Sequence, residues 1–124
     1  RAPEAPPHYI GENAKVENSS VSKGCEIDGN VDYSVIFSNV TIEEGADVRY
    51  SVLMPGATVK KGAKVYYSII AENAVIEENA KIGEIPEQLD NPEDWGIAVI
   101  GSNARITEGK YIEPNKMIAS GEEV

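Results

Sequence analysis

Few side chains of this chain could serve as a nucleophile or a general base. The only histidine is His8, in a proline-rich lead-in, and the only cysteine is Cys25. A catalytic base must be held within hydrogen-bond reach of the proton that it removes. Because an extended lead-in holds its residues poorly, we interpret His8 as a linker residue, solvated or packed on a neighbouring domain. One histidine cannot form a three-histidine zinc site, and Cys25 is expected to pack rather than react.

Charged pairs recur at an interval of 17 residues. Acidic pairs occupy positions 43–44 and 77–78, and a lysine pair occupies the equivalent positions 60–61. Opposite charges on neighbouring strands stabilise a sheet, so we favour a structural ladder over paired catalytic carboxylates. Two further lysines share another repeat position, and the four together form a candidate effector or anion patch, the alternative being a solvated face. The residues of this basic patch are Lys60, Lys61, Lys64 and Lys81.

The composition excludes several classes of partner. The formal net charge is −10, whereas nucleic acids and anionic membranes are bound by clustered positive charge. The 11 glycines form neither of the phosphate-binding patterns GxGxxG and GxxxxGKS/T, so we expect no nucleotide or cofactor site in this chain. With a single histidine we also expect no metal site. No apolar run approaches the ~20 residues that span a membrane. Together with the lone cysteine, this favours a reducing, cytoplasmic location.

Large aliphatic residues recur in steps of 6, 5 and 6 residues within the 17-residue repeat. No helix has that spacing, but three short strands per turn, each sending one aliphatic side chain inward, produce it. The sequence therefore predicts an all-β fold, a left-handed parallel β-helix of the hexapeptide-repeat type with about six coils. The inward residues of its three faces are Ile10, Ile27, Ile42, Val59, Ile76 and Ile106; Val16, Val31, Val48, Val65, Ile82 and Ile112; and Val21, Ile36, Leu53, Ile70, Ile100 and Ile118.

The corners between these strands need residues that tolerate positive φ, which are glycine and asparagine above all. One of the two comes three residues after most of the inward aliphatics. The corner after the second face differs, because its steps are shorter and carry serine at one place. The coil from Ile27 to Ile42 is short, with only the four residues 27–30 before Val31, and is expected to be distorted locally. The expected corner residues are Asn13, Gly24, Asn39, Gly45, Gly56, Gly62, Asn73, Asn79, Asn103, Gly109 and Asn115, and the serines are Ser19, Ser34, Ser51 and Ser68.

Two segments lie outside the repeat. Residues 83–98 interrupt it and contain the only tryptophan, which predicts an ordered surface loop pinned by Trp95. Residues 1–9 are typical of an extended interdomain linker, which leaves residues 10–124 for the β-helix domain. Because the chain begins at Arg1 without a leader sequence, we expect it to be a piece of a longer protein.

Three tyrosines share one repeat position and are expected to form an external column. They are Tyr33, Tyr50 and Tyr67. Such a column is either a contact surface or ordinary stacking between neighbouring coils, and we favour stacking.

Four segments are more specific than the bare repeat: PPHYI, KGCEIDGNVDYSVIF, SVLMPGA and DNPEDWGIAVIGSNA. Together they resemble the C-terminal β-helix of bacterial glucose-1-phosphate adenylyltransferases, also called ADP-glucose pyrophosphorylases. The likeness covers nearly the whole chain. In some relatives arginines linked to effector response lie around the coil that matches residues 66–73, where this sequence has Tyr66, Tyr67 and Glu72.

The resemblance implies a parent enzyme that joins ATP and glucose 1-phosphate to give ADP-glucose and pyrophosphate, with magnesium, for glycogen biosynthesis. In that family an N-terminal nucleotidyltransferase domain of the same chain carries the catalytic site. The β-helix helps to assemble a homotetramer and contributes to allosteric control by sugar phosphates, so this chain is expected to be inactive alone. The alternatives are the β-helical tail of another sugar-nucleotide pyrophosphorylase and a hexapeptide-repeat acyltransferase.

Overall fold

The protein consists of very short strands joined by tight corners. A computed structural model of the chain describes residues 8–124. Of the linker predicted over residues 1–9, residues 1–7 lie outside the described residues. Its last residue, Tyr9, begins the first strand. In chain order the strands are β1 (Tyr9–Ile10), β2 (Lys15–Glu17), β3 (Ser20–Val21), β4 (Glu26–Ile27), β5 (Asn30–Asp32), β6 (Val35–Ile36), β7 (Thr41–Ile42), β8 (Asp47–Arg49), β9 (Val52–Leu53), β10 (Thr58–Val59), β11 (Lys64–Tyr66), β12 (Ser68–Ile70), β13 (Val75–Ile76), β14 (Lys81–Ile82), β15 (Ala98–Ile100), β16 (Arg105–Ile106), β17 (Tyr111–Ile112) and β18 (Met117–Ile118).

These strands form three parallel sheets of six strands each, and every third strand belongs to the same sheet. Face A is the sheet β1-β4-β7-β10-β13-β16, face B is β2-β5-β8-β11-β14-β17, and face C is β3-β6-β9-β12-β15-β18. Each strand pairs with the strands one coil before and after it, as when β10 pairs with β7 and β13. The predicted β-solenoid of about six coils is therefore confirmed, and within residues 8–124 there is no α-helix.

The core is a stack of aliphatic side chains contributed by equivalent positions of successive coils. All three predicted inward sets are in register across their sheets, and from Ile27 onward their members are buried. In the first coil Val16 and Val21 are half-buried, and Ile10 is 41% exposed. At the opposite end the backbone of Val124 exchanges hydrogen bonds with Arg105 and Thr107, so the C-terminal tail covers the last coil.

Most corners are built as the sequence predicts. Every expected corner residue except Asn13 has positive φ. The corner between faces B and C adds four residues that sequence analysis did not assign to this conformation: Asn18, Tyr33, Tyr50 and Tyr67, with φ of 48°, 47°, 51° and 48°. Tyrosine rarely adopts this conformation, at a cost of about 1 kcal/mol or more.

The coil from Ile27 to Ile42 is shorter than the others but keeps its register, because only the corner between β4 and β5 is shortened. Gly29 turns the chain there, and a Cβ on it would lie only 2.6 Å from the carbonyl oxygen of Ala46 and 2.8 Å from that of Glu43. Both β4 and β5 nonetheless pair with their neighbours on each side. The expected distortion is thus a glycine corner and not a break in a sheet.

The loop excursion separates β14 from β15. It leaves the coil at Gly83, which has φ of +76° and no room for a Cβ, since such an atom would lie 2.0 Å from the carbonyl oxygen of Tyr66. Two 3-10 turns, Pro86–Gln88 and Pro92–Asp94, give the loop its only regular structure. The strands β12 and β15 on either side still pair directly, so the solenoid continues past the excursion. None of the described helical segments is long and apolar enough to cross a membrane.

The two faces of one strand provide a test of the register. Ile70 is fully buried in the core, whereas its neighbour Ile69 points outward and is half-buried. We expect Ile70→Asp to abolish cooperative thermal unfolding, because an unpaired carboxylate in a narrow aliphatic stack costs several kcal/mol. Ile69→Asp is expected to retain the β-sheet circular dichroism spectrum and a cooperative transition. Equal behaviour of the two variants would contradict the register.

Candidate functional site

A column of aromatic side chains runs along the corner between faces B and C. The rings of Tyr33 and Tyr50 are stacked with centroids 5.0 Å apart and planes inclined by 5°. Those of Tyr50 and Tyr67 are 4.7 Å apart at 9°. Because strands of neighbouring coils are also about 4.8 Å apart, side chains that leave the same corner with the same backbone conformation must stack. The predicted external column is present, and its stacking is direct.

Trp95 closes one end of this aromatic column. Its ring lies edge-on against Tyr67, with centroids 5.2 Å apart and planes at 84°. Its indole Nε1 donates a hydrogen bond of 3.3 Å to the backbone carbonyl of Glu84. Burial raises the pKa of Tyr67, as expected for a phenol covered by its neighbours. The loop excursion is thus pinned through Trp95, in the manner that the sequence indicates.

A ladder of serine hydroxyls holds the corner beneath the column. The Ser51 hydroxyl accepts a hydrogen bond from the Ser68 backbone N–H at 3.2 Å and donates to the carbonyl of Arg49 at 2.8 Å. Ser34 makes the same two contacts one coil earlier, to Ser51 and Asp32. Each hydroxyl therefore satisfies a backbone group that the five-residue corner would leave unpaired. This explains why serine occupies that position, and it fixes the residue before it, which bears the aromatic ring.

Face C presents an apolar outer surface beside the column. Each strand of face C has an outward residue directly before its inward aliphatic, and these outward residues pair in register from coil to coil. The outward residue is serine in the first coil and an aliphatic residue or methionine in the later coils. Val35 is 42% exposed and Met117 is 74% exposed, and Phe37 is exposed beside them. The outward residues directly before the inward aliphatics of face C are Ser20, Val35, Val52, Ile69, Val99 and Met117. The residues directly after the inward aliphatics are Ser22, Phe37, Met54, Ala71, Gly101 and Ala119.

From the sequence we expect an isolated domain to self-associate through a lateral face bearing aliphatic side chains or the three tyrosines, but the sequence analysis did not identify face C as that face, although the signal was present. Faces A and B carry charged residues at the corresponding outward positions, such as Glu26 and Arg105 on face A and Lys64 and Lys81 on face B. A comparison of outward positions face by face, instead of coil by coil, would have found it.

The four lysines of the basic patch lie around the corner between faces A and B. The Lys60 Nζ lies 3.1 Å from Glu77 Oε1, and the Lys81 Nζ lies 2.8 Å from Glu84 Oε2. Lys81 also lies 5.9 Å from the ring centroid of Tyr66 and 5.7 Å from that of Tyr111. Two of the four charges are therefore already compensated by carboxylates.

The remaining two lysines are exposed. Among the residues that the structure describes, neither Lys61 nor Lys64 makes an ion pair through its Nζ, although the backbone N–H of Lys61 donates to Glu43 Oε1 at 3.2 Å. Lys64 pairs with Asp47 and Lys81 along face B through their backbones. An anion could approach only this half of the predicted patch without displacing an acid.

The predicted charge ladder is present on face A and is centred on Glu77. This carboxylate is 7% exposed and is bound by Lys60 from the preceding coil and by the Arg105 guanidinium from the following one. Burial alone would raise its pKa, but the hydrogen bonds and charges of Lys60 and Arg105 outweigh that effect and hold the pKa below its usual value. The geometry is that of a structural ion triad between three coils.

Face B carries a second polar group, formed by Tyr66, Asp47 and Arg49. The Tyr66 hydroxyl donates to Asp47 Oδ2 at 3.0 Å, and Asp47 Oδ1 accepts from Arg49 Nε at 3.1 Å. Burial, together with the hydrogen bond to Asp47, raises the pKa of Tyr66 to about 12. Tyr66 is thus a fixed donor and does not titrate near neutral pH.

The two residues considered first for chemistry differ in their exposure to solvent. His8 is exposed just before β1. Cys25 is 1% exposed, its thiol donates to the carbonyl of Phe37 at 2.9 Å, and burial raises its pKa. Cys25 therefore packs in the core, as predicted. Among residues 8–124 no group of three or more His, Cys, Asp or Glu side chains is arranged to hold a metal ion.

Comparison with known proteins gives one family and a set of relatives. A family model described as GlmU-like, C-terminal hexapeptide matches residues 7–98. A curated glucose-1-phosphate adenylyltransferase of Bacillus thuringiensis (strain Al Hakam) is 54% identical over 44 residues, which cover 36% of this chain and 12% of that protein. The protein of the same name from Bacillus anthracis gives the same values, and that of Bacillus cereus (strain Q1) is 52% identical over 44 residues.

Solved structures share the fold at low sequence identity. The acetyltransferase domain of PglB from Neisseria gonorrhoeae superposes with a TM-score of 0.61 and 17% identity over 95% of this chain and 49% of its own. A mutant perosamine N-acetyltransferase from Caulobacter crescentus, in complex with CoA and GDP-perosamine, has a TM-score of 0.53 and 13% identity over 92% of this chain and 50% of its own. At these identities the likeness concerns the fold alone.

The ion triad makes stability depend on pH in a defined direction. Because the folded-state pKa of Glu77 is lowered, its contribution is present above the unfolded-state value of about 4.3 and is lost as the pH falls through the folded value. We expect Glu77→Gln to be less stable than the wild type at pH 7 by about 1–2 kcal/mol. The difference should shrink between pH 5 and about 3.

Urea unfolding of both proteins at pH 7, 5 and 3 measures this difference. The matched control is Glu78→Gln, which removes the adjacent acid of the same pair without touching the triad. A gap between wild type and Glu77→Gln that stays constant over this range would show that the Glu77 charge contributes nothing to folding.

Proposed function

The chain belongs to the family of GlmU-like C-terminal hexapeptide domains, and we propose that it is the C-terminal oligomerisation and regulatory domain of a glucose-1-phosphate adenylyltransferase. The observation that carries this proposal is the 54% identity over 44 residues to curated enzymes of that name. The match covers only 12% of those relatives. The parent would be a cytoplasmic nucleotidyltransferase of glycogen biosynthesis that uses ATP and magnesium, with its catalytic domain in the same chain.

The proposed role of this domain is non-catalytic. An acyltransferase of this fold would need a histidine held on a coil as a general base, whereas His8 precedes the first strand. The acetyltransferase structures are similar in fold at 17% and 13% identity, which gives no support for their chemistry here. Function in this domain is instead expected on its outer surfaces.

Assembly is proposed to occur through face C, against a second copy of this chain. Each copy has a formal net charge of −10, so two copies repel one another wherever charged faces meet. On face C the outward residues carry no charge, and an isologous contact there brings identical apolar side chains together without opposing like charges. Faces A and B would instead place Glu26 or Lys64 and its equivalents against one another.

The size of face C sets the strength of this contact. Six strands about 4.8 Å apart, in a face about 15 Å wide including its corners, give roughly 400 Å² per copy. Two copies would bury roughly 800 Å² in total, which is below the ~1,200–2,000 Å² of stable complexes. The domain alone should therefore self-associate weakly, and the proposed catalytic domain would add the rest of the assembly energy in the parent.

Sedimentation equilibrium over a hundredfold concentration range tests the contact. We expect the average mass to rise with concentration for the 124-residue chain and to stay monomeric for Ile69→Asp, which places a charge in the middle of face C. The matched control is Val75→Asp, at the corresponding half-buried outward position of face A, and it should associate like the wild type. A wild type that is monomeric throughout would mean that the domain does not supply assembly energy through this face.

The regulatory part of the proposal rests on Lys61 and Lys64. These are the exposed lysines of the basic patch whose ammonium groups form no ion pair among the described residues, while Lys60 and Lys81 are paired. Two ammonium groups on a solvated corner suit the phosphate of a sugar phosphate, with an affinity that salt screens strongly. Lys81 could join them only by releasing Glu84.

Binding of glucose 6-phosphate, followed through amide chemical shifts, tests this assignment. We expect weak shifts centred on residues 60–64 that disappear in Lys61→Ala/Lys64→Ala and fall several-fold between low salt and about 0.15 M salt. The control pair Lys23→Ala/Lys116→Ala removes the same charge elsewhere and should leave the shifts in place. Shifts that persist in the first variant would exclude these lysines as the anion site.

A further inference from the structure

The two ends of the aromatic column are different. At one end Trp95 covers Tyr67, with its ring edge-on and its indole N–H on a backbone carbonyl. At the other end Tyr33 is 53% exposed, and no aromatic side chain among the described residues covers its outer ring face. Among the described residues, an aromatic side chain therefore covers one end of the column and none covers the other.

Asn18 occupies the place where the next ring of the column would be. Its φ of 48° matches the 47°, 51° and 48° of the three column tyrosines, so the backbone is already set for a stacked side chain. The asparagine amide is too short to reach over the ring of Tyr33. Its Nδ2 instead donates a hydrogen bond of 3.1 Å to Asp32 Oδ1.

The missing ring leaves a shallow open cavity of about 570 Å³. One wall is the ring of Tyr33, and another is Val35, at the edge of the apolar face C. The floor consists of polar side chains of the serine corner. The lining residues are Asn18, Ser19, Ser20, Tyr33, Ser34 and Val35.

We propose that this cavity binds an aromatic side chain of a partner polypeptide, which stacks on Tyr33 and completes the column. The stacking distance of 4.7–5.0 Å within the column is that of favourable offset ring pairs. Trp95 shows how such a ring is held at the other end, by ring contact and one N–H donor. The oxygens of the cavity floor offer acceptors to a phenol or an indole in the same way.

The negative charge near the cavity determines which residues should flank the aromatic side chain of the partner. Asp32 contacts Asn18 at the edge of the cavity. It interacts with Arg49 through space, but Arg49 makes its ion pair with Asp47, and no described residue forms an ion pair with Asp32. The whole chain is acidic, which disfavours the phosphates of a nucleotide. An aromatic residue followed by lysine or arginine matches both the ring face and the carboxylate. This inference concerns a different surface from the basic patch and does not depend on the identity of the parent enzyme.

Acetylated and amidated dipeptides are suitable probes, because they present a ring without terminal charges. We expect Trp-Lys to shift the amide resonances of residues 18–20 and 33–35, with a dissociation constant in about the millimolar range, because the contact consists of one stacked ring. Trp-Glu should bind several-fold more weakly at the same residues. Preferential binding of adenosine monophosphate there would overturn the assignment of a protein side chain.

Two variants define the site. Asn18→Tyr should fill the cavity with the chain's own ring and abolish the dipeptide shifts. Tyr33→Asn, which installs the residue that already tolerates this conformation at position 18, should weaken binding about three- to tenfold. The matched control is Tyr111→Asn, since Tyr111 is a similarly exposed tyrosine, at 48%, on face B. The proposal is overturned if the shifts centre on Tyr111 or if Tyr33→Asn, shown to be folded by circular dichroism, binds like the wild type.

Discussion

The structure depends on one constraint, namely that each strand is two or three residues long and is stable only because the coils before and after it pair with it. Neither an isolated strand of this length nor an isolated coil could bury its aliphatic side chain or satisfy its backbone groups. Stacking solves both problems when every coil places the same backbone at the same position. The fully buried column from Ile27 to Ile106 on face A results from that requirement.

The same constraint determines which residues occupy the corners. A position that needs positive φ in one coil needs it in all of them, so glycine and asparagine recur. Tyr33, Tyr50 and Tyr67 accept the same conformation at a conformational cost. Stacking of their rings and the serine hydroxyls that follow them offset it. Here an exposed aromatic surface and a local strain arise from one repeat position.

Sequence patterns were sufficient for the fold because each inward aliphatic is repeated in several coils. One ambiguous residue, such as Val16 or Val31, is fixed in register by the residues one coil away. The site was less accessible. The pairing of Lys60 with Glu77 could be anticipated from alternating charge, but Arg105 joins the same carboxylate from across the excursion, where the sequence interval is no longer 17 residues. Apolar outward residues such as Val52 stand next to inward ones, so hydrophobicity alone does not identify them as a surface, and only a comparison of the outward positions of the three faces shows that face C lacks charge.

Because the interior of such a solenoid cannot vary without breaking the stack, its outer columns are where one domain of this family can differ from another. The outer columns differ from one another in chemistry. The column around Glu77 is charged and held by ion pairs, the outer surface of face C is apolar, and the corner between faces B and C is aromatic. The excursion leaves the coil at Gly83 and places Trp95 against Tyr67, which adds one more ring to the aromatic column. A loop inserted at that corner alters a surface column without disturbing the core, since β12 and β15 pair beneath it as if it were absent. The domain can therefore acquire a binding surface at its corners while its coils remain fixed.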